Sequence, residues 1–158
     1  MKSAQTNTNS RFPKKLNEKI AFKTGNAGVA SEMLKSVDGV QGVGTDAVLI
    51  SAVPVANPTF IERNFTVAEV EYCQKQPDSS ASFAARWAAK EAVFKALNTK
   101  GKGAAASMKE IEVVSSEVGP SIKLHGDAQT AAGERGVKDF KLSLSHSEDV
   151  AIALAFAQ

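Results

Sequence analysis

The sequence predicts an α+β domain in which an antiparallel sheet packs against helices. Three observations carry that expectation. Phe140, Leu142 and Leu144 alternate with polar residues, and Val150, Ile152, Leu154 and Phe156 do the same beyond Ser147-Glu148-Asp149, so two half-buried strands are joined by a short turn. The segment from Ser82 to Leu97 repeats its large apolar residues at helical spacing. The segments run strand, helix, helix, hairpin, helix, hairpin, which is not the strict alternation of a parallel sheet.

The elements follow from local chemistry. Residues 1–38 are polar and basic, with a weak helical pattern at Val29, Met33, Leu34 and Val37 closed by Asp38-Gly39, and read as an arm or linker before a domain over 39–158. Val40 to Val53 reads as a strand rich in Val, Leu and Ile and stopped by Pro54. Thr66-Val67-Ala68-Glu69 is a capping box opening a helix through about Lys75, which Pro77 ends. Ser79 or Ser80 caps a longer helix to about Leu97. Ile111 to Val114 and Ile122 to Leu124 are short strands around Glu117-Val118-Gly119-Pro120, a hairpin signature. Asp127 caps an Ala-rich helix that ends at Gly136.

Composition bounds the function. With 158 residues, 43% hydrophobic and 23% charged, the chain fits one soluble domain. The apolar run Val150 to Ala157 is far short of the ~20 residues that span a bilayer. Met1 to Ser10 has no apolar stretch of a secretory signal, and a single cysteine, Cys73, allows no internal disulfide; a cytoplasmic protein is expected. The net charge of +2 is uneven: residues 1–38 hold seven Lys/Arg against three acids, which leaves about −2 for the rest by subtraction. From Arg86 to Lys109, six cations accompany the single acid Glu91, beside Gly101 and Gly103. That cluster is either a solvated helix face running into a loop or a site for a polyanion. It lacks interleaved aromatics or a nucleic-acid reading motif, so no nucleic-acid partner is expected.

Three constellations bear chemistry. On the long helix, Phe83, Trp87, Phe94 and Leu97 fall on one stripe of about 80°, with Lys90 inside it and Glu91 about 40° beyond its edge. Core-facing charges are costly unless paired, hydrogen-bonded or bound to metal. One reading has Lys90 snorkelling and Glu91 paired with Lys95 one turn on; the other gives both a site role. Gly42-Val43-Gly44-Thr45-Asp46 places two glycines in a strand, which weakens it unless a backbone approaches closely, and puts Asp46 on a face with Val48 and Ile50. It fails as a dinucleotide fingerprint because position 47 is Ala; a strand-edge bulge with a solvated aspartate is the plainer reading. Ser143-Leu144-Ser145-His146 ends the penultimate strand, with no GxSxG for a serine hydrolase and no histidine pair at metal spacing. Two carboxylates with few nitrogen ligands suit Mg²⁺ better than zinc, and Mg²⁺ fills its other positions with water and phosphate oxygens. A pyrophosphate-bearing substrate satisfies both the acids and the basic cluster.

These motifs, with Phe65-Thr66-Val67-Ala68-Glu69 and Trp87-Ala88-Ala89-Lys90-Glu91-Ala92-Val93-Phe94-Lys95, resemble in order the holo-acyl-carrier-protein synthase family of short 4′-phosphopantetheinyl transferases. The similarity covers about Val40 to Phe156, and Asn57 to Phe65 looks most like the version fused to the α chain of the fungal type I fatty acid synthase. The resemblance implies Mg²⁺-dependent transfer of phosphopantetheine from coenzyme A to a serine of an acyl carrier protein, releasing 3′,5′-ADP, in support of fatty acid synthesis. It implies Asp46 and Glu91 as metal ligands, Lys95 beside the pyrophosphate and His146 near the CoA phosphates. Arg86, Lys90, Gly101, Lys102 and Ser145 follow as cofactor-binding residues. It also implies a homotrimer when the domain is isolated, with CoA in the cleft between neighbours. The competing expectation is a non-catalytic CoA-binding or structural module of a synthase.

Overall fold

The computed structural model describes residues 39–97 and 108–158. In chain order it holds β1 (Gly42–Leu49), α1 (Pro58–Asn64), α2 (Val67–Gln74), α3 (Ser79–Leu97), β2 (Ile111–Ser116), β3 (Gly119–Leu124), α4 (Gly126–Glu134), β4 (Phe140–His146) and β5 (Val150–Ala157). One sheet is three-stranded and antiparallel in the order β1-β5-β4, and β2 and β3 form a separate hairpin. The α+β class is as the sequence predicts.

The central contact is α3 on the three-stranded sheet, and it is made by small residues. Ala88, Ala89, Ala92 and Ala96 of α3 and Ala153, Ala155 and Ala157 of β5 are all buried in one core. The glycines of β1 let the helix come closer still. A Cβ on Gly42 would overlap the carbonyl oxygen of Ala96, and one on Gly44 would overlap that of Ala92. The strand is therefore not a bulge with a solvated aspartate: its glycines receive a helix backbone. The large residues of α3 divide between an aromatic cluster and this core. Phe83 and Trp87 stack with Phe65 and Phe60, 5.1 Å between ring centroids in each of the pairs Phe65–Phe83 and Phe60–Trp87, while Leu97 joins the alanine core. The stripe is thus divided: Phe83 and Trp87 face the α1–α2 side, Phe94 and Leu97 pack on the alanine core, and the helix is buried nearly all round.

Four local expectations are corrected. β1 ends at Leu49 rather than Val53, because Leu49 pairs with Val150, the first residue of its partner, and a 3₁₀ turn over Ile50–Ala52 follows. The helix α1 was not expected; Asn57 caps it by accepting from the Thr59 and Phe60 amides, with Pro58 in its first turn. α3 is capped by Asp78, whose Oδ1 accepts from the Ala81 amide at 2.8 Å, not by Ser79 or Ser80. Asp127 does not cap α4. A carboxylate oxygen of Glu110 accepts from the Ala128 amide at 3.0 Å instead, and Gly126, at φ +50°, lies close above that carboxylate. The Thr66–Glu69 capping box forms as the sequence predicts. Among the described residues no helix is long and apolar enough to cross a membrane.

Candidate functional site

Asp46 lies midway along β1, opposite Ala153, on the strand face that receives α3. The close seat of α3 on Gly42 and Gly44 brings the next helical residues to that aspartate. Lys95 Nζ donates to Asp46 Oδ1 at 2.7 Å and to the Thr45 carbonyl at 3.1 Å. Glu91, half-buried one turn earlier, has its carboxyl pushed above the ordinary range, first by partial burial and then by the negative charge of Asp46, with Lys95 partly opposing. The corner between β1 and α3 therefore holds two carboxylates, the charge of Asp46 adding to burial in disfavouring the ionised form of Glu91. Lys95 pairs with Asp46 across the elements, not with Glu91 along the helix.

The donor set decides what such a corner suits. Among the described residues no group of three His, Cys, Asp or Glu is placed to hold a metal, so the corner is no all-protein cage. Two oxygen donors and a like-charge penalty fit a hard divalent cation that keeps water and takes further oxygens from a ligand. Such a cation would offset both the partial burial and the neighbouring Asp46 charge that raise the Glu91 carboxyl.

A second cluster lies on the other flank of α3. A groove of about 660 Å³ is lined by residues that include Tyr72, Ser82, Arg86, Ser115, Leu144 and His146. Arg86 is only 5% exposed, yet among the described residues no carboxylate bonds to it. Its guanidinium donates to Ser82 Oγ at 3.0 Å and Ser115 Oγ at 2.7 Å, lies 3.9 Å from the Tyr72 ring centroid, and has no partner for Nε among the described residues. A buried cation held by hydroxyls and an aromatic face, with no carboxylate among its described partners, has the chemistry to accept an anion. His146, exposed at the end of β4, opens onto the same groove.

Arg86 and Glu91 point about 140° apart around the helix, and β4 is separated from β1 by β5. One copy of the chain thus gathers Asp46, Glu91 and Lys95 at one place and Arg86 with His146 at another.

The remaining expected residues fall elsewhere. Lys90 is fully buried and does not snorkel. Its ammonium donates to Glu69 Oε2 at 2.8 Å, Met108 O at 3.0 Å and Ile111 O at 2.5 Å, so all three hydrogens are used within the protein. Burial pulls its pKa down while Glu69 opposes. Its assignment to cofactor binding is corrected here: it has no hydrogen left for a ligand. Ser145 stands opposite Ile152, one residue out of step with His146, and does not line the groove. Gly101 and Lys102 lie outside the described residues. Tyr72, Ser82 and Ser115 escaped the sequence reading, because nothing in their spacing separates them from ordinary surface residues. Glu69 was visible only as a cap, although a glutamate and a lysine on two apolar faces is the signal of a buried pair.

The fold and both clusters define a class. The ACPS family, described as the 4′-phosphopantetheinyl transferase superfamily, matches residues 42–155, and the chain belongs to it. More particularly, it is 52% identical over 118 residues to the fatty acid synthase subunit alpha of Schizosaccharomyces pombe, covering 74% of this chain and 6% of that subunit. The chain therefore spans a small fraction of the length of that relative. Among solved structures, the holo-[acyl-carrier-protein] synthase of Neisseria meningitidis superposes with a TM-score of 0.66 at 28% identity, over 75% of this chain and 98% of that one. The ACPS–CoA complex from Chronobacterium ammoniagenes gives 0.63 at 29% identity, over 74% and 96%.

Proposed function

We propose that this domain transfers the 4′-phosphopantetheine group of coenzyme A to a serine of an apo acyl carrier protein or carrier domain, in support of fatty acid synthesis. The observation that carries the reading is the Asp46–Glu91–Lys95 corner, where two mutually repelling carboxylates and a lysine meet. Family membership and likeness to a CoA complex support coenzyme A as the donor.

In this reading Asp46 and Glu91 would hold Mg²⁺, and Lys95, released from Asp46, would offer its charge to the CoA pyrophosphate. Bound there, Mg²⁺ would neutralise the charge that grows on the bridging oxygen departing with 3′,5′-ADP. The carrier serine oxygen bonds to the phosphorus that bears the pantetheine arm. The bond from that phosphorus to the bridging oxygen breaks, and 3′,5′-ADP leaves. The serine proton passes to a base in the corner or to solvent. Arg86, with the exposed His146 beside it, offers positive charge and hydrogen bonds to the remaining phosphates.

A homotrimer of the isolated domain fits this division. The outer sheet face carries Leu49 and Ile152, 54% and 50% exposed, with Leu154 and Phe156 beside them. Covering that face with further copies buries apolar surface and permits the groove of one copy to adjoin the acid corner of the next.

Incubation with CoA, Mg²⁺ and an apo carrier protein tests the function by mass spectrometry. The carrier should gain the mass of phosphopantetheine, and Asp46→Asn should abolish the gain. CoA binding with no mass gain on type I or type II carriers would show a binding module instead.

A further inference from the structure

We propose that Glu69 and Lys90 form a buried positioning pair that fixes the rotation of α3 and so sets where Glu91 stands relative to Asp46. The proposal rests on the reading of Asp46 and Glu91 as joint ligands of a divalent cation.

The pair ties together four segments. Glu69 Oε2 accepts from the Thr66 amide at 2.8 Å and from Lys90 Nζ at 2.8 Å, and Oε1 accepts from the Val113 amide at 2.9 Å. Lys90 adds the carbonyls of Met108 and Ile111, at the start of a second 3₁₀ turn over Met108–Glu110 and of β2. Every ammonium hydrogen and both carboxylate oxygens are used, and the two side chains are 0% exposed. The Phe65 ring, centred 5.4 Å from Nζ, closes the remaining side. The network therefore accepts one placement of Lys90 and no other without breaking a bond in a medium that cannot replace it.

What this placement does for Glu91 follows from helix geometry. Lys90 precedes Glu91 by about 100° of rotation, and Ala92 follows it by about 100°. Lys90 is held by the network, and Ala92 is held where its carbonyl meets Gly44 of β1. Glu91 is thus bracketed by two fixed neighbours, one polar and one steric. A rotation of α3 by ~20° would swing a carboxylate lying ~6 Å from the axis by about 2 Å, as large as a whole Mg²⁺–oxygen bond. Apolar residues at both positions would fill the same volume, and such replacements often cost no stability. They have no direction, whereas three hydrogen bonds from one ammonium do.

Glu69→Gln tests the pair, since it keeps shape and removes the charge. Two titrations are read on protein shown to unfold cooperatively: Mn²⁺ binding by electron paramagnetic resonance in the presence of CoA, and the Mg²⁺ dependence of phosphopantetheine transfer. The expected result is at least a tenfold rise in the half-saturating concentration of both metals, with transfer largely restored at high Mg²⁺ and the KM for carrier within twofold of wild type. Rescue by metal separates positioning from a general loss of structure. A folded variant with wild-type metal dependence overturns the proposal, even if its rate has fallen. Should Glu69→Gln fail to fold, Glu69→Leu with Lys90→Met leaves no charge buried alone, and the same two outcomes decide. Absence of transfer by the wild-type protein overturns the transferase reading while the Mn²⁺ titration still tests the pair. Wild-type protein that binds no Mn²⁺ with CoA overturns the pair together with the metal reading.

Discussion

Two lysine–carboxylate pairs hang from α3, five residues apart and nearly equal in length: Lys90 to Glu69 at 2.8 Å and Lys95 to Asp46 at 2.7 Å. Water separates them. The first pair is 0% exposed on both sides, while Lys95 is 48% and Asp46 17% exposed. In the interior the bonds are fixed, because an abandoned charge finds no solvent. At the corner the contact is worth about 0–1 kcal/mol, so Lys95 is free to exchange Asp46 for a phosphate and Asp46 to exchange Lys95 for a cation. The same two residue types thus build a frame in one place and an exchangeable site in the other. Distance alone does not tell them apart; the number of protein partners and access to water do.

The comparison breaks most visibly in stability. Lys90→Ala leaves Glu69 charged and buried and should cost about 3–5 kcal/mol, read as a lower urea midpoint with unchanged slope. Gly44→Val should come next: a side chain where the Ala92 carbonyl sits pushes α3 off β1, and overpacking of this kind costs about 1–3 kcal/mol or more. It should also open the acid corner, so transfer falls further than the stability loss explains. Lys95→Met should shift stability by less than about 1 kcal/mol while transfer drops at least tenfold, which urea unfolding and the mass assay together resolve.

The smallest effect sharpens the contrast through pH. The Glu91 carboxyl is held above its unfolded value, so the folded state retains that proton more readily than the unfolded chain. The stability it contributes is full below the ordinary glutamate range and is lost as pH rises through the raised value. Metal-free Glu91→Gln should therefore melt at a slightly higher temperature than wild type near neutrality, by a degree or so. The gap should close toward acid pH, and Mg²⁺ with CoA should reverse it at neutral pH. Calorimetric melting curves across that range check the sign.

Much of this was legible in the residues. Period-two alternation in β4 and β5 and the Thr66–Glu69 box are local signals, and the structure keeps them. The Gly-x-Gly strand announced a close approach without saying what approaches, since the helix backbone that fills the space lies about 50 residues away. Asn57-Pro58 carries a helix start that is easy to pass over in a segment otherwise resembling a loop. The capping of α4 by Glu110 was not readable, because the donor amide is 18 positions from its acceptor. At the site, Asp46, Glu91 and Lys95 could be named from motif order, and the structure brings them together. Lys90 was misassigned because a lysine on an apolar stripe has the same sequence pattern whether it reaches solvent or a buried glutamate.

The most direct test is a double-mutant cycle at the acid corner. Calorimetry would measure Mg²⁺ binding, in the presence of CoA, to wild type, Asp46→Asn, Glu91→Gln and the double variant. If the two carboxylates share one cation, each single substitution should remove nearly all of the binding and the double should lose little more. Losses that simply add, or a single variant that binds Mg²⁺ as tightly as wild type, would contradict the shared site.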